Sequence, residues 1–289
     1  MTRRGRLLAG GAALGLLALA GVGLAARCGA PPARCPKGAI ALGPRCCPVG
    51  QSLEDGRCTG SPWSCPGALV QTDAGCVPPE TRVLIEAGDL DALAPDWEAA
   101  GRSNLPRGKV DAFLIDAYEV TEARWRPCRD RGACTEIAAS GEPGLPVRVG
   151  FAAASAFCAY AGGSLPTSAQ HALAGAGAAG RRYPWGATGV VCRRAAFGLV
   201  EGPCGQGASG PEIPGMRPDG ATPTGVHDLA GNVAEWARDG GGAVVRGGSF
   251  RSTAASALRT WSAEPGGPEA RSDVGFRCAY PPSAGPAGN

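Results

Sequence analysis

The chain has 289 residues, 44% hydrophobic and 18% charged, with a formal net charge of +3 at pH 7. That is enough apolar material for one large domain with appendages, while the charge, small and spread along the chain, gives no nucleic-acid-binding face. Two histidines are too few for a histidine-built metal centre, and 47 Gly with 26 Pro indicate a fold rich in turns.

The N-terminus reads as an export segment. Arg3, Arg4 and Arg6 precede a charge-free run over residues 7–26. Three readings fit it: a cleaved signal, a retained anchor, or a lipoprotein signal. Gly23-Leu24-Ala25 and Leu24-Ala25-Ala26 offer small residues for signal peptidase. The run is also just long enough to span a bilayer with the arginines inside. Lipidation would fall on Cys28, but Arg27 stands where a small residue is expected. All three place the protein in the periplasm, the outer envelope or outside the cell, touching membrane only through residues 1–26. The 13 cysteines agree with export, since disulfides persist in oxidising compartments.

Residues 27–80 form a Cys/Pro/Gly module with an internal repeat. Cys35-Pro36-Lys37-Gly38 runs to Cys46, Cys47-Pro48-Val49-Gly50 to Cys58, and Cys65-Pro66-Gly67 to Cys76. Small disulfide-stapled hairpins account for this, and the Cys-x-x-Cys pairs of zinc sites are missing. In-repeat pairing gives 35–46, 47–58 and 65–76 and leaves Cys28 over. Spacing alone does not prove that connectivity.

From residue 81 the texture changes. Residues 82–85 are a short apolar strand, and 86–108 a polar loop with a helical turn. Residues 110–120 alternate as a strand with Phe113, Ile115 and Tyr118 on the buried side. Thr121 caps a helix that runs to about Cys128. A second helix covers 152–160, its packed side carrying Ala153, Ala156, Phe157 and Tyr160. Thr167 and Gln170 form a capping box for a third. Residues 175–223 carry little regular signal and need a staple, which Cys192 and Cys204 can supply.

Six segments then stand in a telling order. They are Phe113-Leu114-Ile115-Asp116-Ala117-Tyr118-Glu119-Val120-Thr121, then Phe157-Cys158-Ala159-Tyr160-Ala161-Gly162-Gly163-Ser164-Leu165-Pro166-Thr167, then Tyr183-Pro184-Trp185-Gly186. Gly225-Val226-His227-Asp228-Leu229-Ala230-Gly231-Asn232-Val233-Ala234-Glu235-Trp236, Val245-Arg246-Gly247-Gly248-Ser249-Phe250 and Asp273-Val274-Gly275-Phe276-Arg277-Cys278 complete the set. Together they resemble the sulfatase-modifying-factor family, whose founding member is the formylglycine-generating enzyme. The resemblance covers residues 81–281 and leaves 282–289 as a disordered tail. It implies a mixed α+β, C-type-lectin-like fold with little regular structure and long loops. It also implies a Cys158–Cys278 bridge. Cys128 and Cys134, six apart after the first helix, are then expected to pair, which leaves Cys192 with Cys204.

The family's enzymes bind Cu(I) through two thiolates and use oxygen to turn a substrate cysteine into an aldehyde. By the resemblance, Ser252 and Ala257 occupy those two positions. A hydroxyl and a methyl cannot replace soft ligands, so copper is not expected and no catalytic residue is assigned. The Gly-Asn-x-x-Glu-Trp segment implies a calcium site, with side-chain oxygens from Asn232 and Glu235 and backbone oxygens from Val233 and Ala237. The alternative is that Asn232 and Glu235 only hydrogen-bond backbone in a turn. A second family calcium site would need a side-chain ligand near Ala196, which has none.

The remaining candidates read as structural. His171 packs in the third helix, and His227 is a surface or hydrogen-bonded residue. Adjacent His227 and Asp228 cannot orient one another toward Ser249 as a triad requires. Trp185, Trp236 and Phe276 belong to the core, and Arg246, Arg259 and Arg277 are buried or half-buried. Gly247-Gly248 is a turn, since no helix N-terminus follows it. The expected function is binding or scaffolding by an exported, non-catalytic family member, its partner a protein, peptide or glycan. The alternative is an oxidoreductase-like maturation enzyme acting on a peptide or small metabolite. Metal content and oxygen uptake separate the two.

Overall fold

A computed structural model of the chain describes residues 35–283, apart from 44, 74, 93–104, 136, 138, 139, 141 and 206. The export segment, Cys28 and nearly all of the C-terminal tail lie outside the described residues. The N-terminal module is three hairpins in a row: β1 (Ala39–Leu42) with β2 (Arg45–Pro48), β3 (Ser52–Glu54) with β4 (Arg57–Thr59), and β5 (Val70–Thr72) with β6 (Gly75–Val77). The middle hairpin turns through Asp55 (φ 49°) and Gly56 (φ 75°), the left-handed pair that a two-residue loop with matching twist demands. Cys35–Cys46, Cys47–Cys58 and Cys65–Cys76 staple one hairpin each, all at a separation of 11.

Hairpins this short cannot build a core of their own. Leu69, Ala39 and the Cys35–Cys46 and Cys65–Cys76 bridges pack instead against Leu145, Ile213 and Met216 of the following domain. Arg45 Nη1 donates to Glu142 Oε1 at 2.9 Å, and the Cys58 amide donates to Glu142 Oε2 at 3.2 Å. Both side chains of this ion pair are buried.

The described residues of the domain form two larger sheets. In the first, β10 (Phe113–Asp116) lies between β7 (Arg82–Ile85) and β15 (Ala279–Tyr280), all antiparallel. A two-stranded ribbon, β8 (Gly88–Asp89) with β9 (Lys109–Val110), precedes β10. The strand expected over 110–120 therefore breaks in two and stops at Asp116. Beyond that point the Ala117 amide turns to Thr81 O and the Val120 amide to Phe276 O, and the ladder ends. Phe113, Ile115 and Tyr118 are buried. The second sheet runs β13 (Ala263–Pro265), β12 (Gly242–Arg246), β11 (Ala234–Asp239), β14 (Val274–Gly275), the last pair parallel.

Among the described residues three α-helices cover the sheets. α1 (Glu122–Asp130) starts at Thr121, whose side chain accepts from the Arg124 amide. α2 (Phe151–Tyr160) buries Ala154, Phe157 and Cys158, while Ala156 is exposed and Ala153 and Tyr160 are partly buried. The buried stripe is thus turned from the expected one, because Cys158 must face Cys278. α3 (Ser168–Ala176) opens on the Thr167/Gln170 capping box. Trp125 stacks on Phe157 at 5.3 Å, and Phe276 meets both rings edge-on. The stretch between α3 and β11 contains one 3₁₀ turn, Pro218–Gly220, among its described residues. Cys192–Cys204 and a cluster of Phe197, Leu199, Phe250 and Leu258 hold it in place. Cys128–Cys134 closes the end of α1.

Candidate functional site

Two arrangements meet at β11 and β12. One is a buried charge network beneath the turn at Asp228 to Glu235. Asp228 (φ 55°) and Asn232 (φ 58°) are both left-handed, a conformation that Asp and Asn tolerate better than other side chains. Between them Gly231 lies so close to the Ala196 carbonyl that a Cβ would sit 2.7 Å from its oxygen. Asn232 Oδ1 accepts from the Glu212 amide at 2.9 Å, and its Nδ2 donates to Glu119 Oε2 at 2.5 Å. Glu119 Oε1 accepts from the Val233 amide. Asp228 Oδ2 accepts from the Gly215 amide, and Glu212 forms a two-pronged ion pair with Arg217.

Glu235 belongs to Arg277. Nε and Nη2 of Arg277 donate to its carboxylate at 2.7–3.0 Å. The remaining guanidinium hydrogens go to the carbonyls of Asp116, Ala117 and His227, so every donor of this fully buried arginine is used. His171 Nε2 lies 3.2 Å from Glu235 Oε2. Burial alone would raise Glu235, but Arg277 and His171 outweigh it and hold the carboxyl at about 2. Burial, then the charges of Asp228 and Glu235, push Glu119 well above the ordinary carboxylate value. Burial pulls His171 down.

This donor set does not fit the calcium ion that the resemblance implies. The oxygens of Glu235 face a guanidinium, and Asn232 Oδ1 already accepts an amide hydrogen. Ala237 is inside β11, paired with Val244. Ala196 is buried, and its carbonyl accepts from the Asn232 amide. Melting is expected to be the same in millimolar calcium and in chelator. A rise of a few degrees with calcium would mean that the turn opens to admit an ion.

The second arrangement is a slot of about 120 Å³ on the other side of β12, lined by Gly247, Gly248, Ser249, Ser252, Ala257, Ser262, Glu264, Arg271 and Asp273. Ser252 and Ala257, five residues apart in sequence, share this wall. Ser252 Oγ accepts from the Ser249 amide at 2.9 Å, and Ser249 Oγ donates to Asp273 Oδ2 at 3.1 Å. Arg271 bridges Asp273 and Glu264. The carboxylate beside Ser249 thus binds it directly, with no imidazole between. Asp228 faces Gly215 and the His227 ring stacks on Tyr118 at 4.7 Å, so those two and Ser249 do not meet. His227 Nδ1 is buried without a hydrogen-bond partner.

The slot does not fit copper either. Its donors are hydroxyls and carboxylates, and all twelve described cysteines are in disulfides. Trp236 and Phe276 are buried, while Trp185 is partly exposed and stacks on Tyr183. Arg246 and Arg259 are buried as well. Arg246 donates to Ser168 Oγ and Thr260 O, and burial lowers its pKa to about 10. Sequence reasoning passed over Ser262 and Arg271, which come from loops, over Glu264 at the middle of β13, and over Glu212. Glu119 and Asp273 each stood inside one of the six segments, with no role assigned to either.

The two small sheets, the capped helices and the long stapled loop define a fold of the formylglycine-generating-enzyme type. A model of the sulfatase-modifying factor enzyme 1-like domain matches residues 68–281, and the chain belongs to that family. The formylglycine-generating enzyme of Streptomyces coelicolor is 31% identical over 193 residues, covering 55% of this chain and 59% of that protein. The chain therefore spans less than two thirds of that relative's length. Among solved structures, PvdO from Pseudomonas aeruginosa superposes with a TM-score of 0.54 at 18% identity, over 75% of this chain and 98% of that one. Treponema denticola variable protein 1 gives 0.52 at 19% identity, over 74% and 98%. At such identities these two likenesses concern the fold alone.

Proposed function

We propose that this chain is an extracytoplasmic binding or scaffolding protein of the family that has no formylglycine-generating chemistry. The observation that carries the reading is the slot wall. Ser252 and Ala257 line it where the family resemblance calls for two thiolates, and no free thiol stands among the described residues to replace them. What remains is a small polar recess with paired charges and hydroxyls, suited to hold a polar side chain or small ligand without transforming it. Six disulfides support maturation in an oxidising compartment. No helix among the described residues is long and apolar enough to cross a membrane.

The test uses the purified full chain, Cu(I), oxygen and a cysteine peptide of the kind that sulfatases carry. Mass spectrometry is expected to find no aldehyde above a protein-free control. Aldehyde in single-turnover amounts would overturn the reading, and so would peptide-dependent oxygen uptake, which is the mark of the maturation-enzyme alternative.

A further inference from the structure

Outside the family domain proper, one side chain stands out by exposure. Trp63 lies between the second and third hairpins of the N-terminal module and is 80% exposed. Its backbone is nonetheless firmly held. The Trp63 amide donates to Val49 O at 2.8 Å. Gln51 Nε2 donates to Gly60 O and Gln71 Nε2 to Pro62 O, both at 2.8 Å, so the loop is pinned from either side. The indole is seated on Gly50 (φ 99°), where a Cβ would come within 2.6 Å of Cδ1 and 2.8 Å of Cγ. A side chain at position 50 would unseat the ring. The flanking hairpins are themselves fixed by Cys47–Cys58 and Cys65–Cys76.

We infer that Trp63 is a pre-ordered stacking platform for a pyranose ring of an extracytoplasmic polysaccharide. Three observations select this occupant. From Cys58 to Thr72 the chain carries no charged residue, so the segment that bears the ring favours a neutral ligand. Ser61 and Ser64 flank it in sequence and Gln71 is tied to the same loop through Pro62 O, all three exposed, and their hydroxyls and amide suit the rim of a sugar. One indole offers roughly 150–250 Å², whereas a stable protein interface needs about 800 Å² per partner. A sugar ring matches the smaller area, and its C–H groups carry the slight positive charge that the negative face of the π-system attracts. Rigidity matters because ordering an exposed side chain on binding opposes affinity, and here the ring's seat is already built. The proposal needs only the oxidising compartment, so it stands or fails separately from the slot.

The experiment titrates the full chain with hexamers of β-1,4-linked N-acetylglucosamine, β-1,4-linked glucose and mannose. Indole fluorescence and ligand-observed NMR are the readouts. At least one hexamer is expected to bind in the high-micromolar to millimolar range. Trp63→Ala should weaken that binding at least tenfold, and Trp63→Phe should keep it within a few-fold. Intact-mass measurement without reductant checks that both variants retain the disulfides. Three results would each overturn the proposal. One is that no hexamer binds, and another is that Trp63→Ala binds as well as wild type. The third is Trp63-dependent self-association in sedimentation, which would assign the ring to a second copy of the chain.

Discussion

Replacing Glu235 by Gln is expected to cost about 3–5 kcal/mol of folding stability, because it leaves the Arg277 charge buried without its partner. Glu235 and Arg277 are 1% and 0% exposed, so water cannot compensate the loss. For a domain of this size the melting temperature should fall by roughly 10 °C. The pH dependence of the difference is also specified. Glu235 is held at about 2, below its ordinary value of 4.5, so its contribution is complete above 4.5 and is lost as pH falls toward 2. The gap between wild type and Glu235→Gln should therefore be widest at neutral pH and narrow below about pH 4.5. Thermal melts of both proteins at several pH values test this. A Glu235→Gln protein that melts within a degree of wild type at pH 7 would show that the ion pair contributes nothing.

The second large effect is loss of the Cys158–Cys278 bridge, which spans 120 residues. In the chain-entropy account a loop of that length contributes about 5 kcal/mol, against about 2 kcal/mol for a loop the size of Cys128–Cys134. The paired replacement Cys158→Ser with Cys278→Ser should thus be much more damaging than Cys128→Ser with Cys134→Ser. Both bridges reach the same core, with Cys158, Cys278 and Cys128 all buried in it, so the cost of a buried hydroxyl falls on both pairs and loop length makes the difference. Urea melts of the two double variants give the comparison. Equal losses would mean that local packing, and not loop length, sets the value of these bridges.

What was legible in the sequence was mostly local. The Thr167/Gln170 capping box and the Thr121 cap depend on residues three apart, and both form. The hairpin repeat announces itself by its cysteines. The two longest strands of the domain were not legible. β11 begins with four buried residues in a row, Ala234 to Ala237, since both faces of the sheet are covered there. Alternation, the usual sign of a strand, is erased by that burial. The same holds for the site. Asn232 and Glu235 were visible as a pair on one turn, but their partners Glu212, Glu119 and Arg277 come from distant parts of the chain. No spacing rule connects residues that only the fold brings together. For the same reason a likeness of motif suggested a cation at Glu235, and the guanidinium already there became visible only in three dimensions.

The clasp at Glu142 bears on where this protein can be divided. The shared family region starts at residue 68, yet the buried oxygens of Glu142 are satisfied by Arg45 and by the Cys58 amide. A fragment that begins at the family boundary would strip both partners away. It would also uncover the part of the Leu145, Ile213 and Met216 patch that Cys35, Ala39 and Cys46 of the first hairpin, together with Cys65, help to close. Homology and cooperativity thus draw different borders here. The segment inherited in common with other family members is smaller than the body that must fold at one time, and the hairpins serve as its missing wall.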